Sequence, residues 1–482
     1  MSKFLNKEDF NNNIQEYKFL PFKFSDFDHD TKIISNLIGE FELLPNKIFK
    51  EFTSKNLSNT DPYYSSLRDK HFLIDTNTSV ALELLPLKIK TKYQMLAEFT
   101  ALHIFVVSLR CEHSCPYCQV SRQSEDKNSF DMDEINAEKA LELVFKSPST
   151  NIKIEFQGGE PLLNFNLVKF IVLRAIEKKP VEKNLGFVIA TNLALINDEI
   201  LEFCSNYNIL ISTSLDGPRE LHNKNRPRRG NNSYEKTIEG INLSRSYLGH
   251  DSVSALMTTT VDSLPKVEEI INEYVKNKFN GIFLRPLSPH GFAIKTKSYS
   301  KYRFQEWLDF YKKGLDYIIK LNENGIEFSE YFSQIILKKM LTSDANGYVD
   351  LMNPAGTGIA VIVYNYDGKI YASDEGRMLA ESGDDYFCLG SVNDSYSDIF
   401  ASDKLLDLLE NSFTKSSPLC SDCVYEEYCG ADPVFHYATQ KDIVGHKPTS
   451  EFCNRNIEIF KHLISLMKNS NKVEALFRSW IK

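Results

Sequence analysis

Between residues 96 and 325 the chain repeats one pattern six times: a short apolar run that reads as a strand, then a longer stretch with helical periodicity. The candidate strands are His103–Ser108, Ile152–Phe156, Gly186–Ala190, Ile209–Ser214, Ser252–Thr259 and Gly281–Arg285. Amphipathic stretches separate them: Asp133–Lys146, Asn166–Lys178, Asp198–Ser205, Tyr234–Tyr247 and Leu264–Lys276, with Arg303–Asn322 after the last. Strand–helix units in series demand a parallel sheet with right-handed crossovers, so the fold class is α/β. In such folds ligands sit at the C-terminal ends of the strands, which is where chemistry-bearing residues should appear.

They do. The first strand is followed by Cys111-Glu-His-Ser-Cys115-Pro-Tyr-Cys118. Three thiolates on one loop can hold three irons of a cubane cluster. Such clusters normally take four Cys ligands, and no fourth cysteine lies nearby in the chain, so one iron would stay open for a small molecule. Half of a zinc site is the competing reading. After the second strand comes Gly158-Gly159-Glu160-Pro161. Its glycines permit close backbone approach to a ligand, and Glu160 can accept hydrogen bonds from an ammonium. Thr191-Asn192 follows the third strand. At the end of the fourth stand Ser214 and Asp216, short polar groups suited to ribose hydroxyls, with helix capping as the plainer role for Asp216. Arg226 then offers a guanidinium for a carboxylate.

Composition narrows the class. The chain has 482 residues and a net charge of −9, so nothing global points to nucleic acid or an anionic membrane. No apolar run approaches the ~18 residues a bilayer span needs, and MSKFLNKEDFNNN at the start has no apolar h-region. The expected location is the cytoplasm, where the nine cysteines stay reduced and serve as ligands or buried thiols.

The C-x3-C-x2-C loop, with Tyr117 before the last Cys, followed one unit later by GGEP and later by S-x-D-G and H-x3-R, resembles the radical S-adenosylmethionine (SAM) family. The resemblance implies a partial (β/α)6 barrel and a [4Fe-4S] cluster on Cys111, Cys115 and Cys118. It also implies SAM at Gly158, Gly159, Glu160, Asn192, Ser214, Asp216 and Arg226.

Residues 1–95 read as a separate small α+β unit with short strands at Tyr17–Phe24, Lys32–Leu37 and Gly39–Leu44 and a helix from Asn46. They resemble the winged-helix-like element by which peptide-modifying enzymes hold a leader peptide; a plain cap on the barrel is the alternative. Residues 326–482 carry Cys420, Cys423, Cys429 and Cys453. Four thiolates there suit zinc, but the C-x2-C-x5-C spacing with a distant Cys resembles the SPASM extension of peptide- and sulfatase-maturing enzymes, which implies one auxiliary [4Fe-4S] cluster. The family's second auxiliary cluster lacks its ligands, for Ser373 and Pro433 stand where two of its cysteines would be. Asp374 matches the position of a catalytic base in sulfatase-maturing relatives. Cys115–Gln123 and Gly39–Pro45 further resemble maturases of His-Xaa-Ser peptide systems.

The implied activity is hydrogen abstraction from a ribosomally made precursor peptide, installing a modification such as a cross-link. The expected partners are that peptide with its leader, an electron donor such as ferredoxin or flavodoxin, and a second maturase of the same system. The alternatives are a sulfatase-type maturase that oxidises a Cys or Ser, and a zinc-bearing binding module without turnover.

Overall fold

Five strands of the strand–helix alternation join three from later in the chain in one eight-stranded sheet. The structure, a computed structural model, describes residues 17–75, 80–343 and 349–481; the N-terminal stretch that lacks an h-region lies outside them. The chain divides into two compact units. One joins residues 1–94 with 338–346 and 418–429; the other holds 95–337, 347–417 and 430–482.

The first unit begins with strands β1 (Tyr17–Phe19), β2 (Phe22–Asp26), β3 (Thr31–Asn36) and β4 (Phe41–Pro45), and includes β5 (Leu73–Asp75). The expected strand Tyr17–Phe24 is broken at Leu20-Pro21, since proline cannot donate to a ladder. β1 pairs with β5, while β2, β3 and β4 form an antiparallel sheet with β3 in the middle. Helix Asn46–Thr53 buries Phe52 against Tyr17, Ile34, Leu44, Leu67 and Phe72. The segment Pro418–Cys429, distant in sequence, packs within this unit. Ser35 Oγ donates to the Val424 carbonyl at 2.6 Å and Tyr428 Oη to the Gly39 carbonyl at 2.8 Å. Lys23 pairs at 2.8 Å with Glu426, whose side chain is buried.

The second unit contains β6 (Leu102–Ser108), β7 (Asn151–Gly158), β8 (Asn184–Ala190), β9 (Ile209–Ser214), β10 (Val253–Leu256), β11 (Gly281–Ile282), β12 (Ser329–Glu330), β13 (Val361–Tyr364), β14 (Lys369–Tyr371) and β15 (Cys388–Ser391). The sheet order is β10-β9-β8-β7-β6-β13-β14-β15. Strands β6 to β10 are parallel neighbours, β13 joins the far edge of β6 in parallel, and β14 and β15 run antiparallel. The sixth expected strand departs from the repeat. Only Gly281–Ile282 is extended, and it pairs with β12 in a sheet of its own. Pro286 after Arg285 removes a donor that a longer ladder would need.

β7 shows how the sheet is two-faced. Ile152, Ile154 and Phe156 are buried, and the rings of Phe105, Phe156 and Phe187 follow one another across three strands at 6.4 and 6.3 Å. Helices Glu134–Val144 and Phe165–Lys178 each bury five residues and pack on each other. Burial of that apolar area is the main stabilising term, at roughly 25 cal/mol per Å². The alternate face of β7 carries Glu155 and Gln157, which line a cavity.

Candidate active site

The chain leaves β6 through Leu109 and Arg110 into the cysteine loop. Arg110 fixes the exit: it donates twice to Asp131, both bonds 2.7 Å, and to the Leu163 carbonyl at 2.8 Å. From there the loop is tied from several sides. Ser114 N–H donates to the Pro227 carbonyl at 2.8 Å, Phe292 N–H to the Cys118 carbonyl at 2.7 Å, and Thr296 Oγ1 to the Pro116 carbonyl at 2.9 Å. Gly291 permits the second contact, for its φ is +58° and a Cβ would lie 2.2 Å from the Gln119 carbonyl oxygen. Its role was not legible in the sequence, where it is one glycine after a histidine.

Cys111, Cys115 and Cys118 line one cavity of about 430 Å³ with Gly158, Gly159, Asn192, Ser214, Arg226 and Asp374. All three thiols are free and partly exposed. Burial pushes the Cys115 thiol up to about 12, with Arg226 pulling the other way. Burial and then the Glu112 and Glu160 carboxylates raise Cys111 well above its ordinary range. Protonated thiols on a cavity wall become thiolates when a cation takes the proton's place, so metal loading here releases protons. The donors of Cys111, Glu112 and His113 also lie within 4.8 Å of one another. His113 is not available as a ligand, however: Nδ1 pairs with Glu112 at 3.0 Å and Nε2 with Ser233 at 2.8 Å. The three cysteines that line the cavity are a donor set that fits a four-iron cluster with one open corner.

Two of the expected SAM residues sit behind the cavity wall. Glu160 is fully buried; its oxygens accept from Leu162 N–H at 3.0 Å, Thr191 Oγ1 at 2.7 Å and Asn192 N–H at 2.9 Å. It thereby ties the exit of β7 to that of β8, and burial and then Glu112 raise its carboxyl. Asp216, also fully buried, accepts from Tyr117 Oη at 2.5 Å and Arg226 Nε at 3.1 Å. The Arg226 guanidinium lies 5.6 Å from the Tyr117 ring centre. Asp216 therefore aims Arg226 and locks the aromatic of the cysteine loop. His222 is structural: its Nδ1 accepts from Asp216 N–H at 3.2 Å.

The glycines of GGEP answer to the neighbouring strand. A Cβ on Gly158 would lie 1.8 Å from the Ser108 carbonyl oxygen, and one on Gly159 2.3 Å from that of Arg110. Gly159 and Glu160 N–H groups donate to those two carbonyls at 2.8 Å. Close approach is required, as expected, but the partner in this structure is the β6 exit.

The floor of the cavity carries carboxylates that sequence reasoning missed. Glu155 accepts from Gln157 Nε2 at 2.7 Å, and burial raises it, with Asp374 adding to the shift. Burial likewise raises Glu375, with Asp374 again adding to the shift, and Arg285 stands 4.0 Å from it. Asp374 accepts from the fully buried Arg377 at 3.0 Å. Ser373 is the N-cap of helix Asp374–Ala380 and accepts from Gly376 N–H at 3.1 Å. The only available signal for Glu155 was its alternation with Gln157 on β7, and one carboxylate in a strand is a weak one.

Among the second cysteine group, Cys423 N–H donates to the Cys420 carbonyl at 3.0 Å and Cys429 N–H to that of Glu426 at 3.2 Å. These three belong to the first unit. Cys453 opens helix Glu451–Asn469 in the second, its N–H donating to Ser450 Oγ at 3.2 Å. No helix among the described residues is long and apolar enough to cross a membrane.

The profile described as Radical SAM superfamily matches residues 105–274. An uncharacterized protein of Methanothermobacter thermautotrophicus is 33% identical over 192 residues, 39% of this chain and 69% of that one. The cysteine-type anaerobic sulfatase-maturating enzyme of Clostridium perfringens is 25% identical over 338 residues, 66% of this chain and 84% of its own. Among solved structures, Streptococcus suis SuiB bound to precursor peptide SuiA superposes with a TM-score of 0.52 at 15% identity, covering 88% of this chain and 97% of that one.

Proposed function

Because the chain belongs to the radical SAM superfamily, we propose that it is a maturase that forms a 5′-deoxyadenosyl radical and uses it to abstract hydrogen from a ribosomally made precursor peptide. The family implies SAM and a [4Fe-4S] cluster. Cys111, Cys115 and Cys118 would hold that cluster, which would supply the electron for breaking a carbon–sulfur bond of SAM. The observation that carries the reading is the trio of cysteines lining one cavity, with no further ligand offered by His113.

The chain's own residues do the rest by placement. Arg226, held by Asp216, presents a fixed positive charge to a carboxylate. Asn192 and Ser214 offer hydroxyl- and amide-scale partners at strand ends. Glu155 and Glu375, raised by burial, are suited to take a proton from the substrate. Asp374, which matches the position of such a base in sulfatase-maturing relatives, has an oxygen already engaged by Arg377.

The peptide substrate is supported by the name of the sulfatase-maturating relative and by the precursor peptide in the SuiB structure. We further read residues 1–95 as the element that holds a leader, and Cys420, Cys423, Cys429 and Cys453 as ligands of an auxiliary [4Fe-4S] cluster, on spacing alone. Ferredoxin or flavodoxin would be the electron donor, the cytoplasm the compartment, and a second maturase of the same system a further partner. The His-Xaa-Ser resemblance narrows the substrate to such peptides and the product to a cross-link. A His-Xaa-Ser precursor incubated with the reconstituted enzyme, SAM and reductant should lose two hydrogens in step with 5′-deoxyadenosine formation. Oxidation confined to a single Cys or Ser of a sulfatase-type peptide would favour the second reading, for which the 25% identity to a sulfatase maturase speaks. Membership in a radical SAM family sets aside the binding module without turnover.

A further inference from the structure

A side chamber of about 60 Å³ adjoins the main cavity, and the two share Arg285, Val349 and Glu375 as walls. The chamber has room for the end of a side chain. Among the described residues its charged lining is three carboxyls, Asp350, Glu375 and Asp432, with two guanidiniums, Arg285 and Arg455. Each guanidinium stands at 4.0 Å from one carboxylate, Arg285 from Glu375 and Arg455 from Asp350. Asp432 is the third carboxyl. Its Oδ1 caps helix Pro433–Gln440, accepting from Val434 and Phe435 N–H at 3.0 and 2.9 Å.

An independent observation points to a guest. His290 lines the chamber at 2% exposure, and its Nδ1 has no hydrogen-bond partner among the described residues. A buried polar atom without a partner costs about 1–3 kcal/mol. Burial, then Arg285 and Arg377, hold this imidazole down to about 3, so it is neutral and able to accept a hydrogen bond. Burial pushes Asp432 up to about 7, with Asp350 and Glu375 adding to the shift. A cation between these groups would relieve both the repulsion and the orphaned nitrogen. The chamber is also lined by Ser373 and Pro433, the two positions where the SPASM resemblance would put cysteines of the absent second auxiliary cluster.

We propose that this side chamber is a specificity pocket that receives a basic side chain of the substrate peptide beside the reacting cavity. This rests on the peptide-maturase reading above. The chamber is a polar subsite, and it selects substrates by charge.

Reconstituted enzyme loaded with SAM tests this with three probes of one shape: n-butylammonium, butyrate and 1-butanol, followed by saturation-transfer NMR. Butylammonium should bind in preference to the other two. Asp432→Asn and Glu375→Gln should each weaken it about fivefold or more, the scale of losing one close charge. Asn is itself a good helix cap, so the first variant keeps its fold; the second carries the test if it does not. Preference for butyrate, equal binding of all three, no binding, or butylammonium affinity unchanged in both variants would overturn the proposal. The two readings separate in the wild-type sample. Enzyme that cleaves SAM but shows no cation preference loses the chamber alone, and enzyme that holds no cluster loses the radical reading whatever enters the chamber.

Discussion

Cys115→Ala abolishes 5′-deoxyadenosine formation, a loss of at least about a thousandfold, because a barrier lowered by electron transfer through a bound metal has no substitute among the chain's own side chains. The same outcome is expected for Cys111→Ala and Cys118→Ala. The three cysteines line one cavity, and the nearby imidazole is not free to replace one: His113 is bound to Glu112 and Ser233. Chromatographic detection of 5′-deoxyadenosine under anaerobic reduction reads it directly. The fold should survive each replacement, since the loop is held by backbone bonds from Ser114 and Phe292 and by the Thr296 hydroxyl, none of which involves sulfur. Normal melting together with lost cleavage is the expected pair. Retained cleavage in any of the three variants would remove the cluster from this loop.

The second large effect is on stability. Gly158→Ala should cost more than about 4 kcal/mol or prevent soluble expression. Its φ is +146° and the added Cβ would sit 1.8 Å from the Ser108 carbonyl oxygen, so β6 and β7 would have to part at their C-terminal ends. The contacted atom is backbone in the middle of a parallel sheet, which cannot rotate aside. Gly186→Ala is the control. It also lies in a sheet strand, β8, but its Cβ would meet nothing within 4 Å. There alanine should be neutral or stabilise by about 0.5–1 kcal/mol through the lower entropy of the unfolded chain. Denaturant melts of the two variants check the contrast; similar stabilities would mean the two strand exits do not approach as described.

What could be read from the chain followed from local periodicity and short motifs. The cysteine trio, the GGEP turn and the polar strand ends each fall at the C-terminal end of a strand because the β-α alternation places them there. Long-range packing was not legible in the same way. Arg285-Pro286 ends what looks like a sixth strand, but only two residues extend, and they pair with a segment nearly fifty residues on. Pro418–Cys429 belongs with the N-terminal sheet through Ser35, Gly39 and Lys23, contacts that no spacing rule encodes. Glu160 and Asp216 were found by motif, yet their physical work is to hold Thr191, Asn192, Tyr117 and Arg226. Glu155 and Asp432 were invisible because a lone carboxylate in an alternating strand or before a proline looks like any solvated one, and Glu375 because an acidic residue in the first turn of a helix is ordinary. Their environment, not their neighbours in sequence, makes them distinctive.

Iron and sulfide analysis of the anaerobically reconstituted wild type beside the Cys111→Ala/Cys115→Ala/Cys118→Ala triple variant tests the account most directly. About eight irons per chain are expected in the wild type and about four in the variant, one four-iron cluster having been removed. Zinc in place of iron, or an iron content that the triple replacement leaves unchanged, would contradict it.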